Sequence, residues 1–190
     1  MDDTAKKKSG PLPGDLSPAE TVERMVRVDH AGEYGAVRIY QGQLSVLGKT
    51  KAAPILQHML EQEEHHLDTF NKMIAARRVR PTALLPIWHV AGFMLGAGTA
   101  LMGEKAAMAC TVAVEEVIDE HYTRQVADLE QDTRLDETDL SETFETFRAE
   151  ELEHRDTALA NDAQKAPGYE ILTGAVKTAS RFAIWLSERV

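Results

Sequence analysis

The sequence predicts an all-α protein, a four-helix bundle with a long apolar crossover helix and a C-terminal helix. Three observations carry this. No stretch shows sustained period-two alternation bounded by hairpin turns, as half-buried strands do. Helical patterns fill the spaces between Gly and Pro breaks. One unit, a helix with a lone Glu, a turn and a helix with Glu-x-x-His, occurs twice.

The elements follow in order. Ser17-Pro18-Ala19-Glu20 is a helix start, with Ser as N-cap, Pro at the first position and Glu at the third. That helix runs to about Leu47 and stops at Gly48. A second runs from about Ala53 to Arg78, with Pro54 in its first turn. Pro81 and Pro86 frame a third segment reaching Gly103. A fourth covers 104 to about 130, and residues 132–136 read as a turn. A fifth runs from about 139 to 165 and breaks at Pro167-Gly168. A last helix covers 169–189. Residues 1–16, with Lys6-Lys7-Lys8 and two prolines before Gly14, read as a flexible tail, leaving 17–190 as one domain.

Composition narrows the function. Of the 190 residues, 43% are hydrophobic and 27% charged, the balance of a chain that buries a core. A net charge of −10 argues against nucleic acid as a partner, since phosphates call for a basic stripe. Cys110 is the only cysteine, so an intrachain disulfide or thiolate cluster is excluded, and it reads as a plain core residue. The first eight residues are too charged for a signal peptide and lack the Arg-rich pattern of a transit peptide.

The chemistry is concentrated in Glu63-Glu64-His65-His66 and Glu151-Leu152-Glu153-His154. Residues three apart share a helix face, so each motif sets a carboxylate beside an imidazole. Such oxygen and nitrogen donors suit Fe or Mn. One such motif arises easily in a Glu-rich helix; two on different helices, at matched heights, do not. The midpoint between Glu33 and the Glu63/His66 pair falls at about residue 49, beside the Gly48 turn. That between Glu115 and the Glu151/His154 pair falls at about residue 134, inside the second turn. Each hairpin thus brings a lone Glu level with a Glu-x-x-His, the recipe for a two-metal carboxylate site in a ferritin-like bundle. Spacing selects Glu151 over Glu150 and Glu153 but barely separates Glu115 from Glu116. Ferritin-like bundles join two such hairpins by one long crossover, and residues 83–103, about 21 without a formal charge, are long enough at roughly 30 Å.

Residues 27–36 (RVDHAGEYGA), 107–116 (AMACTVAVEE), 150–154 (EELEH) and 186–189 (LSER) resemble the demethoxyubiquinone hydroxylase family of ubiquinone biosynthesis. The resemblance runs from about Thr21 to the C-terminus. It implies metal ligands at Glu33, Glu63, His66, Glu115, Glu151 and His154, which selects Glu115 over Glu116, with supporting positions at His121 and Tyr122. It implies two Fe ions, O2 as co-substrate, and hydroxylation of the ring of a polyprenylated demethoxyubiquinol, with NADH or a quinol as reductant. Other ubiquinone-biosynthesis proteins are further implied partners. No GxGxxG fingerprint is present, so a nicotinamide would bind outside a Rossmann motif.

A substrate with a polyprenyl tail lives in the bilayer. Were residues 83–103 to cross it, the two hairpins would lie on opposite sides and the six residues could not converge. The expectation is therefore an interfacial segment, with Arg77, Arg78 and Arg80 free to meet anionic headgroups; the alternative is a crossover helix buried against its neighbours with a solvated basic flank. The short polar tail suggests a bacterial form, peripheral at the cytoplasmic face of the inner membrane. The competing function is iron storage or peroxide scavenging, in which an uncharged crossover has no role. Asp29 reads as an ordinary surface residue, His30 as a candidate ligand-orienting group and His65 as a surface histidine. Trp88 and Trp185 read as core or interface anchors.

Overall fold

The computed structural model describes residues 14–190. Most of the expected N-terminal tail lies outside the described residues. Among these, all regular structure is helical: α1 (Pro18–Leu47), α2 (Ala53–Arg77), α3 (Leu85–Leu101), α4 (Glu104–Gln131), α5 (Thr138–Ala160), a short 3-10 turn (Ala163–Lys165) and α6 (Tyr169–Ser187).

The start of α1 is built as its sequence predicts. Glu20 donates its backbone N–H to Ser17 Oγ, while its carboxylate accepts from the Ser17 backbone N–H at 2.8 Å. The first hairpin turns at Gly48, the second across 132–136. The end of α2 carries no such signal. It closes on Arg78, a non-glycine residue at φ 54°, whose N–H reaches back to Ile74 and Ala75.

Two boundaries differ from expectation. The crossover helix is 17 residues, about 25 Å, rather than the full 83–103 stretch. At its start Thr82 Oγ1 accepts from the Leu84 N–H and holds a turn open; at its end Gly103, at φ 112°, redirects the chain into α4. The fifth helix ends at Ala160 rather than near Lys165. There Asn161 Nδ2 donates to the Thr157 carbonyl, and Asp162 takes a left-handed conformation held by Lys165, so that Ala163 turns inward.

α1, α2, α4 and α5 form the bundle. α3 runs back along α1 in the same direction, as a crossover must, and α6 runs along α4. The α1–α3 crossing is glycine-lined. A Cβ on Gly96 would stand 1.9 Å from the Ile39 carbonyl oxygen, and one on Gly42 would stand 2.3 Å from that of Phe93. Only glycine permits so close a backbone approach.

The apolar core is split. One cluster, including Leu56, Met59 and Met108, fills the end near the Gly48 turn; another, including Val26, Phe70 and Phe144, fills the far end. Between them lies a band of buried polar residues. Outside, α3 and α6 expose large apolar side chains, among them Val90 (60%), Met94 (63%) and Phe182 (57%). No helix among the described residues is long and apolar enough to cross a membrane.

Candidate metal centre

All six expected residues are buried and meet in the polar band. Glu33 comes from α1, Glu63 and His66 from α2, Glu115 from α4, Glu151 and His154 from α5. Ligand atoms of Glu33, Glu63, His66 and Glu151 lie within 4.8 Å of one another, and so do those of Glu63, Glu115, Glu151 and His154. Glu63 and Glu151 belong to both groups, which is the pattern of two metal positions sharing two bridging carboxylates.

The donor set fits a pair of divalent cations. Both Glu63 oxygens, Glu151 Oε2 and Nδ1 of each histidine are buried with no hydrogen-bond partner among the described residues. Buried polar atoms are ordinarily satisfied, so this many converging on one point calls for a cation. Four carboxylates balance two divalent ions in charge. Proton occupancy follows from the same crowding. Burial opposes charge on His66, but its contacts with Glu151 and then Glu33 push it up to about 12. Burial also opposes charge on Glu151, yet His154 and His66 beside it hold it at about 2. Burial, then the charge of Glu151, raises Glu63 and Glu115 well above the usual carboxylate range.

Neighbouring side chains hold these groups. Tyr122 Oη donates to Glu33 Oε1 at 2.6 Å, and Tyr40 Oη donates to Glu115 Oε1 at 2.8 Å. Burial, then the nearby carboxylate, raises both phenols well above their ordinary value, so both remain donors. Each tyrosine lies seven residues, two helical turns, after the lone glutamate of its own helix. Each therefore reaches across to the glutamate of the other helix. That repeated Glu-x6-Tyr spacing was readable in the sequence and identifies Tyr40, which the motif reading passes over. On the opposite side, His66 Nε2 meets Glu150 Oε2 at 2.6 Å, and His154 Nε2 meets Gln62 Oε1 at 3.0 Å.

The remaining candidates separate clearly. His121 Nε2 lies 2.9 Å from Asp29 Oδ1, which also accepts from Gln125 Nε2. Asp29 is thus a buried partner rather than a surface residue, because α1 turns this face toward α4. His30 meets Asn71 instead of a ligand, and His65 is exposed. Glu116 is partly exposed and pairs with Lys177. Cys110 is buried, its thiol pushed up to about 12 by burial. Trp88 donates to Ser187 Oγ at 3.0 Å, while Trp185 is 48% exposed. Arg77 makes a bidentate pair with Glu137, so it is not free for a headgroup as expected.

The two seams of the bundle differ in character. Across α2 and α5, Phe147 stacks on the His66 ring at 4.0 Å and Phe70 packs edge-on to Phe147. Along α1, by contrast, Ala31, Gly32, Gly35 and Ala36 leave space around Glu33. The result is an apolar cavity of about 260 Å3 between α1, α3, α4 and α6, which ends on Glu33, Glu63, Glu115 and Glu151. Trp88, Leu95 and Ile184 also line it. A separate surface cleft of about 730 Å3, lined by Arg124, Arg148, Arg181 and three acidic residues, includes none of the six.

Comparison with known proteins points the same way. Residues 20–187 match the family described as ubiquinone biosynthesis protein COQ7. The chain is 61% identical over 180 residues to a 3-demethoxyubiquinol 3-hydroxylase of Rhodospirillum rubrum, covering 94% of this chain and 83% of the relative. It is 53% identical over 168 residues to a mitochondrial NADPH-dependent 3-demethoxyubiquinone 3-hydroxylase of Mus musculus, covering 88% and 77% respectively. A mitochondrial 5-demethoxyubiquinone hydroxylase of Saccharomyces cerevisiae is 43% identical over 202 residues, covering 98% and 87%.

Proposed function

The chain belongs to the ubiquinone biosynthesis protein COQ7 family, and from that premise we propose that it is a di-iron monooxygenase hydroxylating the ring of a demethoxyubiquinol. In this reading Glu33, Glu63, His66 and Glu151 hold one iron, and Glu63, Glu115, Glu151 and His154 hold the other. The observation that carries it is the junction of two environments. An apolar cavity reaches the four carboxylates, as a ring substrate with an apolar tail requires and iron storage does not.

When bound, the iron pair supplies the electrons and open coordination positions for reducing O2, one oxygen atom entering the ring and the other leaving as water. The chain's own residues do the rest. Tyr40 and Tyr122 fix the carboxylates through their hydrogen bonds. The cavity walls orient the ring and exclude water from it. A reduced nicotinamide nucleotide or a quinol restores the reduced state.

The substrate is polyprenylated and arrives from a bilayer, on whose surface the protein sits. The exposed apolar faces of α3 and α6 flank the cavity mouth and suit an interfacial position. Quinone profiling of a deletion strain tests this function. The strain should accumulate demethoxyubiquinone, be rescued by this chain, and not be rescued by Glu151→Ala. Normal ubiquinone in the deletion strain rejects it.

A further inference from the structure

The two glutamate–histidine motifs are tied together by the residues just before them. Gln62 precedes Glu63 on α2 and meets His154 of α5; Glu150 precedes Glu151 on α5 and meets His66 of α2. The clasp is reciprocal, as expected of a site made from two copies of one hairpin. It is symmetric in position and asymmetric in charge.

Both histidines turn Nδ1 toward the shared carboxylates, at 3.2 Å from Glu151 for His66 and for His154. With the Nδ1 lone pair presented to a cation, the hydrogen sits on Nε2 in each ring. His66 then donates to a carboxylate and His154 to the carbonyl oxygen of a neutral amide. A carboxylate is the stronger acceptor; it draws the N–H proton further and makes Nδ1 the better donor to metal. The shorter contact, 2.6 Å against 3.0 Å, runs the same way.

We propose that Glu150 and Gln62 are positioning residues that make the two metal positions inequivalent, the one beside His66 binding its ion more tightly than the one beside His154. The proposal rests on the six-residue ligand reading above. Its consequence is ordered loading: the His66 position fills first, and the His154 position is the weaker and more labile one.

Anaerobic titration of the full chain with Fe(II) against a competing chelator, followed by Mössbauer spectroscopy of the 57Fe-loaded protein, tests it. Wild type should load two ions in separate steps and give two distinct quadrupole doublets. Glu150→Gln, at a site one-third exposed, keeps an acceptor for His66 and should weaken only the tighter step, by about 10- to 100-fold, drawing the steps and the doublets together. Gln62→Glu should instead tighten the weaker step. A substitution acting only on folding would lower the unfolding temperature and leave the separation of steps unchanged, which overturns the proposal. Equal weakening of both steps overturns it too. Wild type that fails to bind two ions overturns the ligand reading itself, a result distinct from two ions bound without the predicted asymmetry.

Discussion

Replacing Gly96 with alanine tests how the apolar cavity is built. An added Cβ would stand 1.9 Å from the Ile39 carbonyl oxygen and 2.8 Å from its carbon. Ordinary contact begins near 3.4 Å, so α3 has to retreat from α1 by roughly 1.5 Å. The obstacle is backbone on a buried helix face, which cannot rotate away as a side-chain end does. Overpacking of this kind costs about 1–3 kcal/mol, or roughly 2–12 °C in Tm for a domain of this size. Gly98 lies on the same helix with nothing within 4 Å of its added Cβ. Gly98→Ala should therefore stabilise by up to about 1 kcal/mol through helix propensity. Thermal unfolding followed by circular dichroism reads both. Opposite signs are expected, and turnover should fall only for Gly96→Ala, because α3 forms a cavity wall. Shifts of equal sign and size would refute the glycine-lined crossing.

Two further outcomes follow from surface and charge. Val90→Glu with Met94→Glu adds two charges to the exposed face of α3. Flotation with liposomes should drop at least severalfold while helix content stays intact; unchanged flotation contradicts the interfacial position. For the metal-free protein, His66 keeps in the folded state a proton that the unfolded chain loses above about pH 6.5. Glu63 and Glu115 likewise hold protons that the unfolded chain releases above pH 4.5. Stability from these groups therefore declines as pH rises, the His66 share vanishing toward pH 12. The Glu151 contribution is present above pH 4.5 and lost as pH falls toward about 2. Metal-free Tm should thus peak in the mildly acidic range and be lower at pH 8 than at pH 6. Added Fe(II) or Mn(II) should stabilise more at pH 8, since binding displaces the same protons. A metal-free Tm that rises from pH 6 to pH 8 contradicts these assignments.

What the sequence revealed and what it concealed divide along physical lines. Regular spacing was legible: Glu63 with His66, Glu151 with His154, and the hairpin midpoints that set Glu33 and Glu115 level with them. These depend only on helix pitch and turn position. Asp29 reads as surface because its partner His121 is 92 positions away, and no local pattern reveals which helix turns a face inward. The fifth helix looks longer than it is because the turn at Asp162 rests on a non-glycine residue at φ 65°. Arg77 reads as free because Glu137 is 60 positions away. Glu150 enters the sequence reading only as the alternative rejected beside Glu151, and Gln62 does not enter it; only the approach of α2 to α5 gives them histidine partners.

Isotope labelling tests the central claim most directly. The protein, loaded with Fe(II) under anaerobic conditions and given a reduced demethoxyubiquinol, is exposed to 18O2 for a single turnover, and the product is weighed by mass spectrometry. Two irons per chain and one 18O atom in the new ring hydroxyl are the predicted result. Oxygen consumed with the ring unchanged and ferric iron accumulating beyond two per chain would mean that the bundle stores iron and does not hydroxylate a quinol.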